Sequence, residues 1–404
     1  MTSASFPLAG IRVVDISTSY AAPTATMYLG DMGADVIKIE RREGDDTRGW
    51  GPPFVGTESA WFLSANRNKR SACIDLTDPA GLDVLMRLVE TADVFVQSLN
   101  PAKLRRLQLH PEDMLARFPR LVYCAVSGFG LDGPDHGLPG YDLIAQARSG
   151  LMSVTGPCGG SPERVSTALS DVVAGMLAAF ATTAALLRRE RTGLGDIVDV
   201  SLLESDLALM APRLAAFLAG DAEPRPSGGT DSVLAVYQRF ETADEPVVVA
   251  VGNDRMWVRC CTVVGLPELA KDPGLATNAL RRERRDEVVA ALAEQLAKRT
   301  AAEWVQEFAR VGVPCHMVQR LSAVVEDPQV KARSVIGEYQ HPSAGRYRAV
   351  RAPWRLDSIG RGPDGVPPLL GAHTLEVLRE AGFTDEETQG LLKRGIVWDL
   401  ASNT

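Results

Sequence analysis

Short runs of β-branched residues alternate with helical patterns from the start of the chain, and that alternation restricts it to an α/β architecture. Ile11-Arg-Val-Val-Asp-Ile16 reads as a strand and Ala34-Asp-Val-Ile-Lys-Ile-Glu40 as a second. Between them Ala21–Gly30 fits a short helix with Pro23 in its first turn, where a missing N–H is tolerated. The order recurs: a helix over Ala80–Thr91 precedes a strand at Val94–Val96, and a helix over Pro111–Phe118 precedes a strand at Leu121–Val126. Such a chain builds a parallel sheet with helices on its faces. Ligands of these sheets lie beyond the carboxyl ends of the strands. The candidate rim is therefore Ser17–Tyr20, Arg41–Arg48, Gln97–Pro101 and Ser127–Gly133.

Further along, Ile197–Val200 reads as a strand and Leu202–Leu218 as a helix, and Gly220–Gly229 has the composition of a linker. Val236–Thr242 and Pro246–Val251 alternate like strands. Helical patterns follow at Asp254–Val264, Arg281–Lys298 and Ala301–Val311. The tail carries a strand-rich stretch, His341–Arg355, and helices at His373–Arg379 and Asp385–Arg394. With 404 residues the chain exceeds one typical core. We expect a large α/β domain from 1–220 and 330–404, and a smaller α+β domain over 225–330.

Val165-Ser-Thr-Ala-Leu-Ser-Asp171 leads into a long run of small and apolar residues. Ser170 or Asp171 can cap a helix there. Two readings stand side by side: an ordinary N-cap, or a carboxylate nucleophile held at a helix mouth and partly desolvated. The run Val172–Leu187 contains Gly175 and two threonines and is short for a membrane span, so it reads as a buried helix.

Several chemistries are disfavoured. A net charge of −8 argues against nucleic acid or an anionic membrane as partner. Cys73, Cys124, Cys158, Cys260, Cys261 and Cys315 lack metal or redox spacing and read as reduced thiols of a cytoplasmic protein. The N-terminus has neither the basic nor the apolar region of a secretion signal. Gly128-Phe-Gly-Leu-Asp-Gly133 matches GxGxxG and follows a strand, but Pro134 comes next and no helical pattern opens, so it reads as a turn. The histidines His110, His136, His316, His341 and His373 are dispersed, and no metal site is expected. Three basic clusters, Arg41/Arg42/Arg48, Lys69-Arg70 and Lys103/Arg105/Arg106, suggest a seat for a polyanion at one sheet edge.

An ordered set of segments then resembles the family III CoA transferases, the group of formyl-CoA transferase and carnitine CoA transferase. It comprises Pro7–Asp15, Leu29–Arg41, Gly44–Arg48, Asn66–Ser71, Gly140–Gln146, Ser149–Gly156, Val251–Asp254 and Gly371–Thr374. The likeness covers nearly the whole chain. It implies a Rossmann-like sheet, an interlocked homodimer, and coenzyme A as a substrate with no permanently bound cofactor. Acyl-CoA and a carboxylic acid are the implied partners. The family's nucleophilic aspartate falls on Asp171. Its CoA-contacting positions fall on Tyr20, Ala21, Arg41, Ile74, Ser98, Leu99 and Arg106; Tyr141-Asp142 match a Tyr-acidic pair, and Gly228-Gly229 a shielding glycine loop. Tyr20 stands where formyl-CoA transferase has a glutamine lining the acyl site, Pro139 replaces a lysine and Ser98 an asparagine, so a different acyl specificity is expected. The implied chemistry runs through an aspartyl anhydride and an aspartyl-CoA thioester. Its oxyanion donors would come from Val172–Val173, Ala21 or Gly228-Gly229. The alternative of the same fold, an α-methylacyl-CoA racemase, carries histidine where this chain has Tyr141.

Overall fold

The computed structural model describes residues 6–399. The chain divides into two compact units, one of residues 1–151, 165–219 and 331–404, the other of 152–164 and 220–330. The segment 152–164, grouped by sequence with the large domain, thus belongs to the smaller unit.

The large unit is built on a seven-stranded sheet in the order Val397–Trp398, Lys69–Ile74, Asp35–Glu40, Arg12–Asp15, Val94–Gln97, Val122–Ser127, Asp196–Ser201. All neighbours pair in parallel except the edge strand Val397–Trp398. The order reverses between Arg12–Asp15 and Val94–Gln97, so a crevice opens there at the carboxyl ends. The central strands are mostly apolar because helices cover both faces, with Asp15, Lys38 and Glu40 as buried charged exceptions. Val13, Val36, Val94 and Val122 pack under the helices Ala21–Asp31 and Leu169–Thr192. Val14, Ile37, Phe95 and Tyr123 pack on the other side, with the helices Pro79–Val89 and Thr374–Glu380.

Several elements depart from the sequence reading, among them Arg281–Lys298, which divides into Asn278–Glu283 and Arg285–Leu296. Lys69–Ile74 is a strand whose basic start concealed it. The pattern Leu202–Leu218 breaks into Leu202–Leu209 and Ala211–Leu218, where Pro212 cannot continue the hydrogen-bond ladder. The smaller unit carries an antiparallel sheet of Tyr237–Phe240, Val247–Ala250 and Cys315–Met317, with a core around Trp257, Trp304 and Phe308.

Leu169–Thr192 is long and apolar enough by composition to cross a membrane. Ala174, Ala178, Ala185 and Leu186 lie in the core, whereas Phe180 on another face is 74% exposed. The helix presses on Ala21–Asp31 at one point. A Cβ on Gly175 would stand 2.7 Å from the Ala21 carbonyl oxygen and 2.8 Å from Thr24 Cβ, closer than atoms pack.

Gly175→Ala therefore trades a helix-propensity gain of about 1 kcal/mol against a backbone clash. It should cost roughly 1–3 kcal/mol net and lower the melting temperature in calorimetry. A variant as stable as the parent would mean the contact yields freely.

Candidate active site

The turn after Arg12–Asp15 is held from beneath by buried charges. Asp15 accepts from the Ser17 N–H at 2.9 Å and from Thr26 Oγ1 at 2.6 Å. Lys38 Nζ donates to the Ser17 carbonyl at 2.9 Å and pairs with Asp45 at 2.8 Å. Lys69 Nζ bonds the Pro23 carbonyl at 2.8 Å, and burial pushes its amine down to about 7 against the pull of Asp15. Asp45 also accepts from Ser19 N–H at 3.3 Å, anchoring Ser19 at φ 71°. That conformation is unfavourable for a residue with a Cβ and persists only when the surroundings enforce it.

The turn delivers the helix Ala21–Asp31 with its amino end at the crevice. Its first internal bond runs from Thr24 N–H to the Tyr20 carbonyl at 2.9 Å, and Pro23 has no N–H. Ala21 and Ala22 N–H keep no hydrogen-bond partner among the described residues, as expected of a first helical turn. Both residues line a cleft of about 290 Å³ together with Asp171. Its other walls come from Thr18-Ser19, Ser98–Pro101 and Val126–Gly128, the ends of three neighbouring strands. The cleft thus occupies the reversal point of the sheet. Thr18 N–H bonds Ser98 Oγ across it at 3.1 Å.

Asp171 does not cap its helix. The helix begins at Leu169 after Ala168, which offers no side-chain cap, and Asp142 takes that role from a distance, accepting the Ser170 N–H at 2.8 Å. Gln146 holds the second oxygen of Asp142 at 2.8 Å. Ser170 Oγ meets Asp206 at 2.8 Å, and the other Asp206 oxygen is buried without a hydrogen bond. No hydrogen bond among the described residues reaches the Asp171 carboxylate. Val172 N–H donates to the Ala168 carbonyl at 3.0 Å, and Val173 lies one step further into the helix. The expected oxyanion donors at Val172–Val173 are therefore spent on helix bonds, which leaves Ala21 and Ala22.

Burial, then Asp142, then Asp206 push the Asp171 carboxyl up to about 7. A nearby helix N-terminus favours the anion by about 0.3–1 kcal/mol, whereas a three-unit rise corresponds to roughly 4 kcal/mol the other way. Desolvation and like charge win. Burial also raises the Tyr20 phenol, with the Asp171 charge adding to the effect against its hydrogen bond with Ser64.

The other sequence-derived positions divide. Ala21, Ser98, Leu99 and Tyr141 line the cleft with Asp171, and Asp142 lies buried behind it. Tyr20 faces a second cavity. Ile74 is buried in the core away from any cleft. Arg41 pairs with Asp46, and Arg106 is exposed on the helix Pro101–Arg106. Gly228 and Gly229 belong to the smaller unit, at φ 65° and 82°. The three basic clusters do not share an edge. Lys69-Arg70 starts its strand, and Arg70 pairs with Asp35 and Glu380. Arg48 pairs with Glu40 at 2.7 Å. The GxGxxG segment is a turn in which Gly128 packs against Gly140, a Cβ there falling 2.7 Å from the Gly140 Cα. Trp50 and His136 also line the cleft; no local motif marked either, because the fold alone brings them there. Among the described residues no group of three acidic, histidine or cysteine side chains could hold a metal ion.

The pattern for CoA-transferase family III matches residues 8–374. The chain belongs to that family. It is similar to human succinyl-CoA:glutarate CoA-transferase, 38% identical over 97% of this chain and 90% of the relative. The succinate–glutarate CoA-transferase of Agrobacterium fabrum is 34% identical over 93% and 95%. Among solved structures, a CaiB/BaiF family protein from Brucella suis superposes with a TM-score of 0.81 at 33% identity, covering 93% of this chain and 99% of its own. This family III CoA transferase is therefore an enzyme of acyl-CoA chemistry, and Asp171 is the carboxylate that lines its cleft.

Because the folded carboxyl titrates near 7 and the unfolded one near 3.8, the stability linked to Asp171 is fully present below about pH 4 and lost as pH rises to 7. Asp171→Asn should be more stable than the parent at pH 8, by roughly 1–3 kcal/mol after allowing for solvent screening. The gap should close towards pH 4–5 in thermal unfolding. A variant no more stable than the parent at pH 8 would contradict the assignment of strain to this group.

Proposed function

We propose that this enzyme moves CoA from an acyl-CoA donor to a carboxylic acid through covalent intermediates on Asp171. The observation that carries the reading is an unbonded, partly desolvated carboxylate in the same cleft wall as the open N–H groups of Ala21 and Ala22. Ionised Asp171 attacks the donor thioester, forming an acyl-aspartyl anhydride and releasing CoA thiolate, a competent leaving group since a free thiol has a pKa near 8.5. The thiolate attacks the aspartyl carbonyl, the donor acid departs, and an aspartyl-CoA thioester remains. The acceptor carboxylate attacks that thioester, and the thiolate then captures the acceptor's acyl carbon, regenerating Asp171. One thioester replaces another, so no ATP is consumed. The Ala21 and Ala22 N–H groups stabilise the successive oxyanions, a role worth about 3 kcal/mol per donor.

Ser98, Leu99 and Tyr141 are proposed to flank the pantetheine arm, with Arg41 and Arg106 further out along CoA and Gly228-Gly229 as the shield against water. The exposed apolar face around Phe180 and Leu187 supports a homodimer, interlocked as the family resemblance implies. Six free cysteines support a reducing, cytoplasmic setting. For the racemase alternative, position 141 holds an exposed tyrosine, and His136 in the cleft bonds the Gly133 carbonyl through Nδ1.

The test is a panel of acyl-CoA donors against mono- and dicarboxylic acids, read by mass spectrometry; the relatives' named substrates make succinyl-CoA and glutarate the first pair. The wild-type enzyme should transfer CoA, eluting at twice the 43.4 kDa chain mass, and Asp171→Ala should lose at least about 1,000-fold of its turnover. Transfer that survives in Asp171→Ala, or α-deuterium exchange without transfer, would overturn the reading.

A further inference from the structure

Behind the cleft lies a buried acid whose charge the packing does not require. Asp206 stands on the helix Leu202–Leu209, which packs against Leu169–Thr192 and Asp142–Arg148. It is fully buried. Its Oδ2 accepts from Ser170 Oγ at 2.8 Å and from Ser149 Oγ at 3.4 Å, while Oδ1 has no partner. Among the described residues only these two hydroxyls reach the carboxylate, and no lysine, arginine or histidine does. A carboxylate that leaves water without gaining a cation is costly. As a mere acceptor for Ser170, the carbonyl of an asparagine would serve equally well and carry no charge.

What an asparagine lacks is the field. Ser170 immediately precedes Asp171, so its bond to Asp206 ties the charge to the turn that carries the nucleophile. Around Asp171 stand Asp142 and Asp206 from the two flanking helices, Tyr20 from the turn before Ala21–Asp31, and His136 and Tyr141 in the cleft. Asp142 is occupied with the Ser170 N–H; Asp206 has no backbone N–H to hold. Burial lifts the Asp206 carboxyl above its ordinary range, the Ser170 bond opposes this, Asp142 adds to the rise, and Ser149 opposes it.

We propose that Asp206 is a positioning residue for the transfer reaction, its buried charge making the Asp171 anion more reactive and its bond to Ser170 fixing the turn that presents it. The proposal rests on Asp171 being the nucleophile. A like charge behind a carboxylate favours every state in which that carboxylate is neutral, whether protonated, acylated or joined to CoA. Asp206 therefore speeds attack on the thioester once Asp171 is ionised, and it narrows the pH range in which the anion exists. The charge acts through space, so no substrate atom has to reach it.

The experiment follows CoA release in a single turnover with succinyl-CoA from about pH 5.5 to 9, for the wild type, Asp206→Asn, Asp206→Glu and Ser170→Ala. One donor is used throughout, so its own titration cancels. The wild-type acid limb should lie near pH 7. In Asp206→Asn it should move down by about half a unit or more, and the high-pH plateau should fall roughly twofold or more, since nucleophilicity follows basicity with a slope near one half. The two profiles therefore cross, the variant being faster at about pH 5.5 and slower at about pH 9. Asp206→Glu should return the limb towards the wild-type position, and Ser170→Ala, which keeps the charge, should not lower it. A variant slowed by one factor at every pH overturns the proposal, as does a limb that falls as far in Ser170→Ala. A wild-type limb near pH 4 overturns it even if no variant folds. Acylation of Asp171 is read by peptide mass alongside. No acylation in the wild type means the nucleophile assignment has failed and this proposal with it, whereas acylation with profiles that do not cross removes the role of Asp206 alone.

Discussion

The proposed chemistry depends on how closely two helices approach. Gly175 lets Leu169–Thr192 press on the Ala21 carbonyl, which holds the amino ends of both helices at one cleft. One end contributes a carboxylate and the other contributes open N–H donors. Neither would serve alone: an anion without aimed donors gains little in the transition state, and donors without a nucleophile only bind. The buried pairs of Lys38 with Asp45 and Lys69 with Asp15 fix the second partner by clamping the turn that precedes it.

The surroundings of Asp171 make its resting anion expensive. Asp142 has taken the helix N–H that a capping carboxylate would use, and burial with two neighbouring acids keeps the proton on until about pH 7. In the proposed mechanism, acylation or thioester formation removes the negative charge. The environment therefore penalises the free carboxylate relative to both covalent states, while raising its basicity. A protein that stores repulsion at a functional site gives up stability there.

Much of this was legible in the chain. Alternation gave the sheet, since parallel strands buried on both faces are mostly apolar, and Asp171 stood out because a charge rarely precedes so apolar a helix. Its cap was misassigned because Asp142, 29 residues earlier, supplies the acceptor, and local pattern carries no such contact. The strand Lys69–Ile74 was hidden for a similar reason. Its lysine and arginine look solvated until Asp15 and Asp35 are brought beside them by the fold. Of the basic residues read as a ligand seat, Arg48, Lys69 and Arg70 are held in ion pairs within the fold, whereas Lys103, Arg105 and Arg106 stay exposed.

Oxygen tracing would test the covalent role of Asp171 most directly. If an acceptor carboxylate attacks the aspartyl-CoA thioester and the thiolate then takes the acceptor's acyl carbon, the bridging oxygen stays with the protein. A single turnover with an acceptor labelled in both carboxylate oxygens with oxygen-18 should leave one heavy oxygen in the Asp171 peptide, and repeated turnover two. A peptide of unchanged mass after many turnovers would contradict it.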